Sequence, residues 1–157
     1  MSHKFFIVTF LAACIVCVFG MLAIPLIDID AAQYASMSRE MASSGNYLQL
    51  YDLGADYLDK PPLLFWFSSL SIQLFGVRDW AYRLPSILCL GLALWSTYRF
   101  TILYYNKLTA ELAVLVLATS QAFILMAHDV RCDTMLMGFV TFSIWQLAAW
   151  YLSLIHI

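Results

Sequence analysis

The residues of this sequence that can do chemistry lie in three short groups that are far apart in the sequence. They are the acidic pair Asp28 and Asp30, then Lys60 directly before two prolines, and then Arg131 with Asp133. A carboxylate can take a proton from a weakly acidic hydroxyl, and a lysine or arginine can bind a phosphate group. The residue types therefore predict proton transfer and phosphate recognition, if the fold brings the groups together.

Two roles are compatible with the position of Asp30. Gln33 follows three residues later, which is the spacing of a helix capping box, so the carboxylate can simply satisfy free N–H groups at a helix start. Against that, Asp28 and Asp30 follow a long apolar stretch directly, where an ionisable side chain is costly and is more often functional. Residues 30–44 have the apolar spacing of a short amphipathic helix that Gly45 ends.

Lys60 stands at a stiff corner of the chain, because Pro61 and Pro62 restrict the backbone around it. From such a corner its ammonium group can reach a phosphate at the depth of the lipid headgroups. An ordinary lysine that extends towards anionic lipid has the same local sequence, so both alternatives stay open.

The four cysteines predict neither a zinc site nor a redox site. Cys14 and Cys17 form a CxxC pair inside an apolar stretch, where a thiol behaves as a small hydrophobic side chain. A second pair of metal-ligating residues at a matching spacing is lacking from the sequence.

The composition excludes an ordinary soluble domain. Of the 157 residues, 63% are apolar and 11% are charged, against about 45–50% and about 25% in soluble domains, and the mean hydropathy is +0.81. The net charge is −2 and the eight Lys and Arg are scattered singly, which leaves no basic stripe for a nucleic acid. Membrane lipids are the expected surroundings.

Four apolar stretches are long enough to cross a bilayer, which takes about 20 helical residues. They lie at about 5–27, 84–105, 109–127 and 134–152. In a fifth stretch, 61–77, the part between the prolines and Gly76 would be only about 20 Å long as a helix, which predicts an interfacial or re-entrant helix. The expected fold is an all-α integral membrane protein with about four transmembrane helices and amphipathic interfacial helices in the first external loop.

The loop 28–60 is expected to be external, since it holds six acidic residues and two basic ones. If 61–77 does not cross the membrane, the loop that ends at Asp133 faces the same side as Asp30. If it does cross, the two acids face opposite sides, and the two arginines that follow this stretch modestly favour that alternative. The non-crossing arrangement is the preferred prediction.

Seven short motifs in a fixed order carry a resemblance to a known family. They are Asp30-Ala31-Ala32-Gln33-Tyr34-Ala35, Arg39-Glu40-Met41, Ser44-Gly45-Asn46-Tyr47, Lys60-Pro61-Pro62-Leu63, Phe75-Gly76-Val77, Arg83-Leu84-Pro85-Ser86 and Arg131-Cys132-Asp133-Thr134-Met135-Leu136. The order resembles the N-terminal part of the GT-C membrane glycosyltransferases, and within these the bacterial aminoarabinose transferases and protein O-mannosyltransferases. The resemblance runs from Ile24 to about Trp150.

The resemblance implies an enzyme that moves a sugar from a polyprenyl-phosphate donor to a lipid A or protein hydroxyl acceptor, at the external face of the bacterial plasma membrane. It implies that Asp30 is catalytic, that a second acid, Asp133, takes part, and that Lys60 contacts the donor phosphate. Arg131 is expected to assist with the phosphate, although an ion pair with Asp129 or Asp133 is an equal alternative.

The chain departs from the family pattern beside Asp30. Members commonly carry an acid directly after this aspartate and often an arginine two residues further, where this chain has Ala31 and Gln33. A metal site on adjacent carboxylates is therefore in doubt, although Asp28 can substitute as a metal or substrate ligand. A divalent metal ion stays open as a cofactor, and no other cofactor is expected.

Two other interpretations compete with a complete enzyme. A non-enzymatic polytopic protein, such as a lipid or sugar transporter subunit, would line a pathway with Asp30, Lys60 and Asp133, but the sequence lacks the internal repeats typical of transporters. A fragment would be inactive alone, because family members are several times longer. Residues 152–157 match the translation of a common sequencing-library adapter, so we expect adapter read-through after Tyr151.

Overall fold

The computed structural model describes residues 3–26 and 29–155 of the chain. Nearly all of this part is helical, and a small hairpin of two-residue strands lies in the first long loop. The all-α fold predicted from the sequence is thereby confirmed. The elements are α1 (His3–Ala23), α2 (Ile29–Ser44), β1 (Tyr51–Asp52), β2 (Ala55–Asp56), α3 (Leu63–Phe75), α4 (Asp79–Tyr104), α5 (Lys107–Ala118), α6 (Gln121–Ala127) and α7 (Cys132–Ile155).

Three helices of the described part are long and apolar enough to cross a membrane, namely α1 from Lys4, α4 and α7. A fourth candidate span consists of α5 and α6 together, which are bent by 60° at the break between them. The count of three to four candidate spans agrees with the expected membrane protein. The predicted interfacial stretch 61–77 forms α3, which has 13 residues.

The break between α5 and α6 arises from two adjacent hydroxyl residues. Thr119 is the C-cap of α5; its backbone N–H donates to the carbonyl oxygen of Leu115, and its hydroxyl donates to the same oxygen at 2.7 Å. Ser120 then caps α6, because its Oγ accepts a hydrogen bond from the Phe123 N–H at 3.3 Å. Capping side chains of this kind compete with the helical backbone, so a stretch that is apolar enough for one span contains two helices.

Helices α4 and α7 form the closest pair of the bundle. Gly138 of α7 lies directly on the backbone of Cys89, where an added Cβ would stand 2.5 Å from the Cys89 carbonyl oxygen. Further along the same pair, Arg99 stacks on the ring of Trp145 at 5.2 Å. Small residues allow two apolar helices to approach without a hydrophobic driving force from water.

The loop-bearing elements share one core at a single end of the bundle, which we call the loop end. It comprises α2, α3, the first turns of α4 and the start of α7. Its buried side chains include Tyr34, Met37, Met41, Leu64, Phe65, Ala81, Tyr82, Val130 and Met135. The segments that carry Asp30, Lys60 and Asp133 therefore converge, although up to about a hundred residues separate them in sequence.

Helix α3 is joined to its neighbours by hydroxyl groups. Ser69 donates to the carbonyl oxygen of Ser38 in α2 at 2.7 Å, and Ser68 donates to that of Tyr82 in α4 at 3.3 Å. These serines are fully buried, so their hydroxyl groups face the neighbouring helices.

Candidate functional site

Asp30 lies in the first turn of α2, which begins at Ile29. Asp30 is exposed, whereas Tyr34, one turn further along, is buried. Gln33 reaches away from the helix start and donates its side-chain amide to Asp52 Oδ2 at 2.6 Å, which ties the hairpin to α2. Asp30 is thus a helical residue with a solvent-facing carboxylate, and its neighbour in the acidic pair, Asp28, lies outside the described residues.

Tyr34 connects Asp30 with the loop that leads to Lys60. Its ring packs edge-on against Phe65, with centroids 5.7 Å apart, and the ring of Tyr57 packs edge-on on the same Phe65 at 6.3 Å. Burial raises the pKa of Tyr34 well above its ordinary value, and the hydrogen-bonded Tyr57 and the Asp30 carboxylate raise it further. Tyr34 is therefore a neutral phenol that holds the start of α2 against α3.

Lys60 and Asp133 line one cavity of about 490 Å³ between the start of α3 and the start of α7. Both are exposed, and Cys132 lines the same cavity. The remaining wall is apolar, formed by Pro61, Leu63, Leu64, Met135, Leu136 and Phe139. The cavity therefore combines one cation and one carboxylate with an apolar lining.

Arg131 lines a different cavity. It forms an ion pair with Asp129, whose Oδ1 also accepts a hydrogen bond from the Val130 N–H at 2.8 Å. The pair borders a neighbouring space of about 540 Å³, which Ala31 of α2 also lines. The ion pair with Asp129 that the sequence allowed for Arg131 is present in the structure.

Tyr34, Tyr57 and Arg83 are parts of this region that the sequence did not single out. Tyr34 had a signal, since it stands four residues after Asp30 and hence on the same helix face. Arg83 appeared in the sequence analysis only as the first residue of a family motif, with no indication of its role. The structure shows it buried at the end of α1, a position that follows from contacts distant in sequence.

The part of the chain that the structure describes holds no group of three or more His, Cys, Asp or Glu that could bind a metal ion. Asp30 and Asp133 stand on separate helices, and Ala31 replaces the adjacent acid of the family pattern. The described residues by themselves therefore form no carboxylate cluster for a divalent ion, and Asp28 lies outside them.

One cation and one carboxylate at an apolar cavity, on a bundle with three to four candidate membrane spans in its described part, define the class as a helical membrane protein. The family model described as dolichyl-phosphate-mannose-protein mannosyltransferase matches residues 59–153, more than half of the chain. The chain belongs to this family of GT-C membrane glycosyltransferases, as its motifs predicted.

Relatives and solved structures agree with this assignment. The chain is 38% identical over 93 residues to the undecaprenyl phosphate-alpha-4-amino-4-deoxy-L-arabinose arabinosyl transferase of Aeromonas hydrophila, covering 59% of this chain and 17% of the relative. The protein of the same name from Aeromonas salmonicida is 42% identical over 69 residues, covering 44% of this chain and 13% of the relative. The chain thus spans less than a fifth of the length of these curated relatives.

The crystal structure of ArnT from Cupriavidus metallidurans bound to undecaprenyl phosphate superimposes with a TM-score of 0.80 at 26% identity, over 89% of this chain and 26% of ArnT. The apo structure of the same protein gives a TM-score of 0.79 at 23% identity, over 96% of this chain and 32% of ArnT. The helical arrangement described above is therefore the fold of part of a membrane glycosyltransferase.

Proposed function

We propose that this chain forms the donor-binding and catalytic part of an enzyme that transfers a sugar from a polyprenyl-phosphate carrier to a lipid A or protein hydroxyl. The observation that carries the proposal is the cavity shared by Lys60 and Asp133. Its apolar wall suits an isoprenoid chain, and its charged mouth suits the phosphate that links this chain to the sugar. The solved relative bound to undecaprenyl phosphate supports a lipid of this class.

Lys60 is proposed to hold the donor phosphate. As the bond between the sugar and the phosphate breaks, its electron pair stays on the phosphate oxygen, and the leaving polyprenyl phosphate gains negative charge. An ammonium group beside this oxygen stabilises the transition state, and the effect is larger at an apolar cavity than in water. The exposed Lys60 at the mouth of the cavity has the freedom to make this contact.

Asp30 is proposed to be the general base. The acceptor hydroxyl is a weak nucleophile, so its proton passes to the Asp30 carboxylate as its oxygen bonds to the anomeric carbon. The Asp30 carboxylate is exposed and therefore accessible to an acceptor that arrives from water. Tyr34 stays neutral beside it, so it does not compete for the transferred proton.

The other charged residues have supporting roles in the proposal. Asp133 shares the Lys60 cavity and orients the ammonium group or the sugar, and Arg131 adds positive charge from the adjoining cavity while Asp129 holds its guanidinium. Asp28 is proposed as a further substrate ligand.

The active side is proposed to be the external face of a bacterial plasma membrane, with α3 lying at the interface without crossing. Helix α3 is about 20 Å long at 1.5 Å per residue, which is short of the roughly 30 Å hydrocarbon core. Its buried serines donate hydrogen bonds to α2 and to the first turns of α4, so the helix is attached to the other elements of the loop end. Asp30, Lys60 and Asp133 then act on one side of the membrane.

The native thiol of Cys132 offers a direct test of donor binding, because it lines the Lys60 cavity. In a full-length enzyme with Cys132 as its sole cysteine, undecaprenyl phosphate should protect this thiol from a maleimide. Undecaprenol, which lacks the phosphate, should protect only at higher concentration. Lys60→Met should raise the half-protecting concentration of the phosphate about 10-fold to 100-fold, as expected for a lost charge-assisted hydrogen bond.

Lys107→Met is the matched control, since Lys107 is an exposed lysine at the other end of α4 from the cavity. It should leave the protection curve unchanged. Equal protection by undecaprenol and undecaprenyl phosphate, or an unaltered curve for Lys60→Met, would show that Lys60 does not bind the donor phosphate.

A further inference from the structure

Arg83 lies in the second turn of α4 and is 1% exposed. Its guanidinium reaches across to the end of α1 and donates to three backbone carbonyl oxygens. Nη1 binds those of Met21, at 3.0 Å, and Ile24, and Nη2 binds that of Pro25 at 3.0 Å. A buried arginine therefore holds the point where the first span ends.

These carbonyl groups need an external donor. The last turn of a helix leaves its carbonyls without partners, and the partner that Met21 would find four residues later is Pro25, which has no N–H. The end of a helix also carries partial negative charge, which favours a cation there. Arg83 meets both requirements with one planar group, because its N–H donors form a fixed fork.

Asp79 also binds the segment that connects α1 to α2. Located one turn before Arg83 on α4, it accepts a hydrogen bond from the Leu26 N–H at 3.4 Å. The connection is thus bound through its carbonyls by one residue and through its N–H by another. Asp30 is the fourth residue after Leu26, and from Tyr34 onwards α2 is packed on α3. Asp30 lies between these two anchors.

Arg83 also stands close to the second catalytic loop. It borders the 540 Å³ cavity together with Asp129 and Arg131, two residues before Asp133. The Asp129 and Asp79 carboxylates are the acidic groups whose charge acts on its guanidinium. The buried Arg83 side chain therefore contacts the segment before Asp30 and lies near the segment before Asp133.

We propose that Arg83 is a positioning residue for sugar transfer, which fixes the end of α1 so that Asp30 is held against the acceptor. This inference rests on the proposed role of Asp30, and it makes a separate geometric claim. When the fork is lost, the start of α2 moves, while the Lys60 cavity, to which Arg83 contributes no wall, keeps its shape.

The geometric claim is tested by thiol labelling in a cysteine-free full-length enzyme. Arg83→Lys keeps the positive charge and removes the forked set of guanidinium N–H donors. It should change the labelling rate of Asp30→Cys several-fold and leave that of Ser44→Cys, at the far end of α2, unchanged. Arg78→Lys is the matched control, because Arg78 is an exposed arginine directly before α4. An unaltered rate at position 30 in Arg83→Lys overturns the proposal.

The catalytic claim is tested by steady-state kinetics of the full-length enzyme with its native Asp30. Arg83→Lys should lower kcat by about 10²-fold, the cost of a reacting group displaced by about 1 Å, while KM for the donor stays within twofold. A rise in donor KM equal to the fall in kcat would indicate general disruption and overturn the proposal. Asp79→Ala should also lower kcat, by a smaller factor. If Arg83→Lys does not fold, Asp79→Ala decides the test, and an unchanged kcat in this variant overturns the proposal.

The two proposals fail in distinguishable ways. If Arg83→Lys alters labelling at position 30 but Asp30→Asn retains full turnover, the base assignment is wrong and the positioning role of Arg83 in catalysis falls with it. If Asp30→Asn is inactive and Arg83→Lys changes neither labelling nor kcat, the base assignment stands and the positioning role is wrong.

Discussion

The hydroxyl of Ser71 takes the place of the backbone donor that Pro85 lacks. Pro85 lies inside α4 and has no N–H for the carbonyl oxygen of Ala81, four residues earlier. Ser71 of α3 donates to that oxygen at 2.6 Å, and Ser68 donates to the next carbonyl, that of Tyr82. The proline in the family motif therefore creates the acceptor by which the short helix α3 is attached.

Removal of this hydroxyl should destabilise the protein. Ser71→Ala leaves the carbonyl of the fully buried Ala81 without a partner, which costs about 1–3 kcal/mol. In a Ser71→Ala, Pro85→Ala double variant the restored N–H should recover part of the loss. Thermal unfolding of the purified protein in detergent measures both effects. Ser43→Ala, which removes an exposed hydroxyl, is the control, and an equal Ser71→Ala penalty with and without Pro85 would contradict the explanation.

Asp30→Asn should abolish turnover without affecting folding. Asparagine keeps the shape of the aspartate side chain, but it cannot take the proton. In the full-length enzyme, turnover should fall by about 10²–10⁴-fold with unchanged membrane expression. Glu40→Gln, which neutralises another exposed acid of α2, should retain activity. Normal sugar transfer by Asp30→Asn would move the catalytic role to Asp28 or Asp133.

Labelling from outside intact cells should place the segments that carry Asp30 and Asp133 on one side of the membrane. In a cysteine-free background, Ser44→Cys and Asp133→Cys should react with an impermeant thiol reagent, because both positions are exposed at the loop end. Asn106→Cys, between α4 and α5, should react only after the cells are opened. If positions 44 and 133 are labelled from opposite sides, α3 crosses the membrane and the proposed topology is wrong.

Tyr34 should resist ionisation at a pH where other tyrosines titrate. Its pKa is raised by burial above all, so the folded state binds this proton more tightly than the unfolded chain, whose tyrosines titrate near 10. The resulting stabilisation is complete below about pH 10 and is lost as the pH rises through the raised value.

Spectrophotometric titration of the native protein and of Tyr34→Phe measures this effect. The two folded proteins should show the same phenolate absorbance at about pH 10.5, and after unfolding Tyr34→Phe should show the signal of one tyrosine less. A difference of one phenolate between the folded proteins at that pH would show that Tyr34 titrates normally.

The fold class and the helix positions followed from the sequence alone. A bilayer demands long stretches without charge, so composition and charge placement determine where α1, α4 and α7 lie, with little influence from neighbouring segments. The helix 29–44 was recognisable for a similar reason, because its apolar spacing and the glycine after it are local signals. The family motifs, with Asp30, Lys60 and Asp133 as candidate site residues, were also recognisable, because each motif is a short run of consecutive residues.

The break after Thr119 was not recognised, although its residues were visible. An apolar window of that length predicts one span, and only the hydroxyl hydrogen bonds of Thr119 and Ser120 show that two helices form. The hairpin at 51–56 was missed as well, because its Leu53-Gly54 turn, with positive φ at both residues, is not among the common turn sequences.

Only the tertiary structure decided which polar groups meet. Arg83 and the end of α1 are about sixty residues apart, and the two walls of the Lys60 cavity are about seventy apart; the sequence carries no local signal for such pairs. The physical reason is that a proline in the sequence indicates which carbonyl lacks its N–H donor, whereas the packing of the helices determines which side chain donates to that carbonyl instead. Met21 and Ala81 each lose a donor to a proline four residues later, and a side chain from another helix supplies it in both cases.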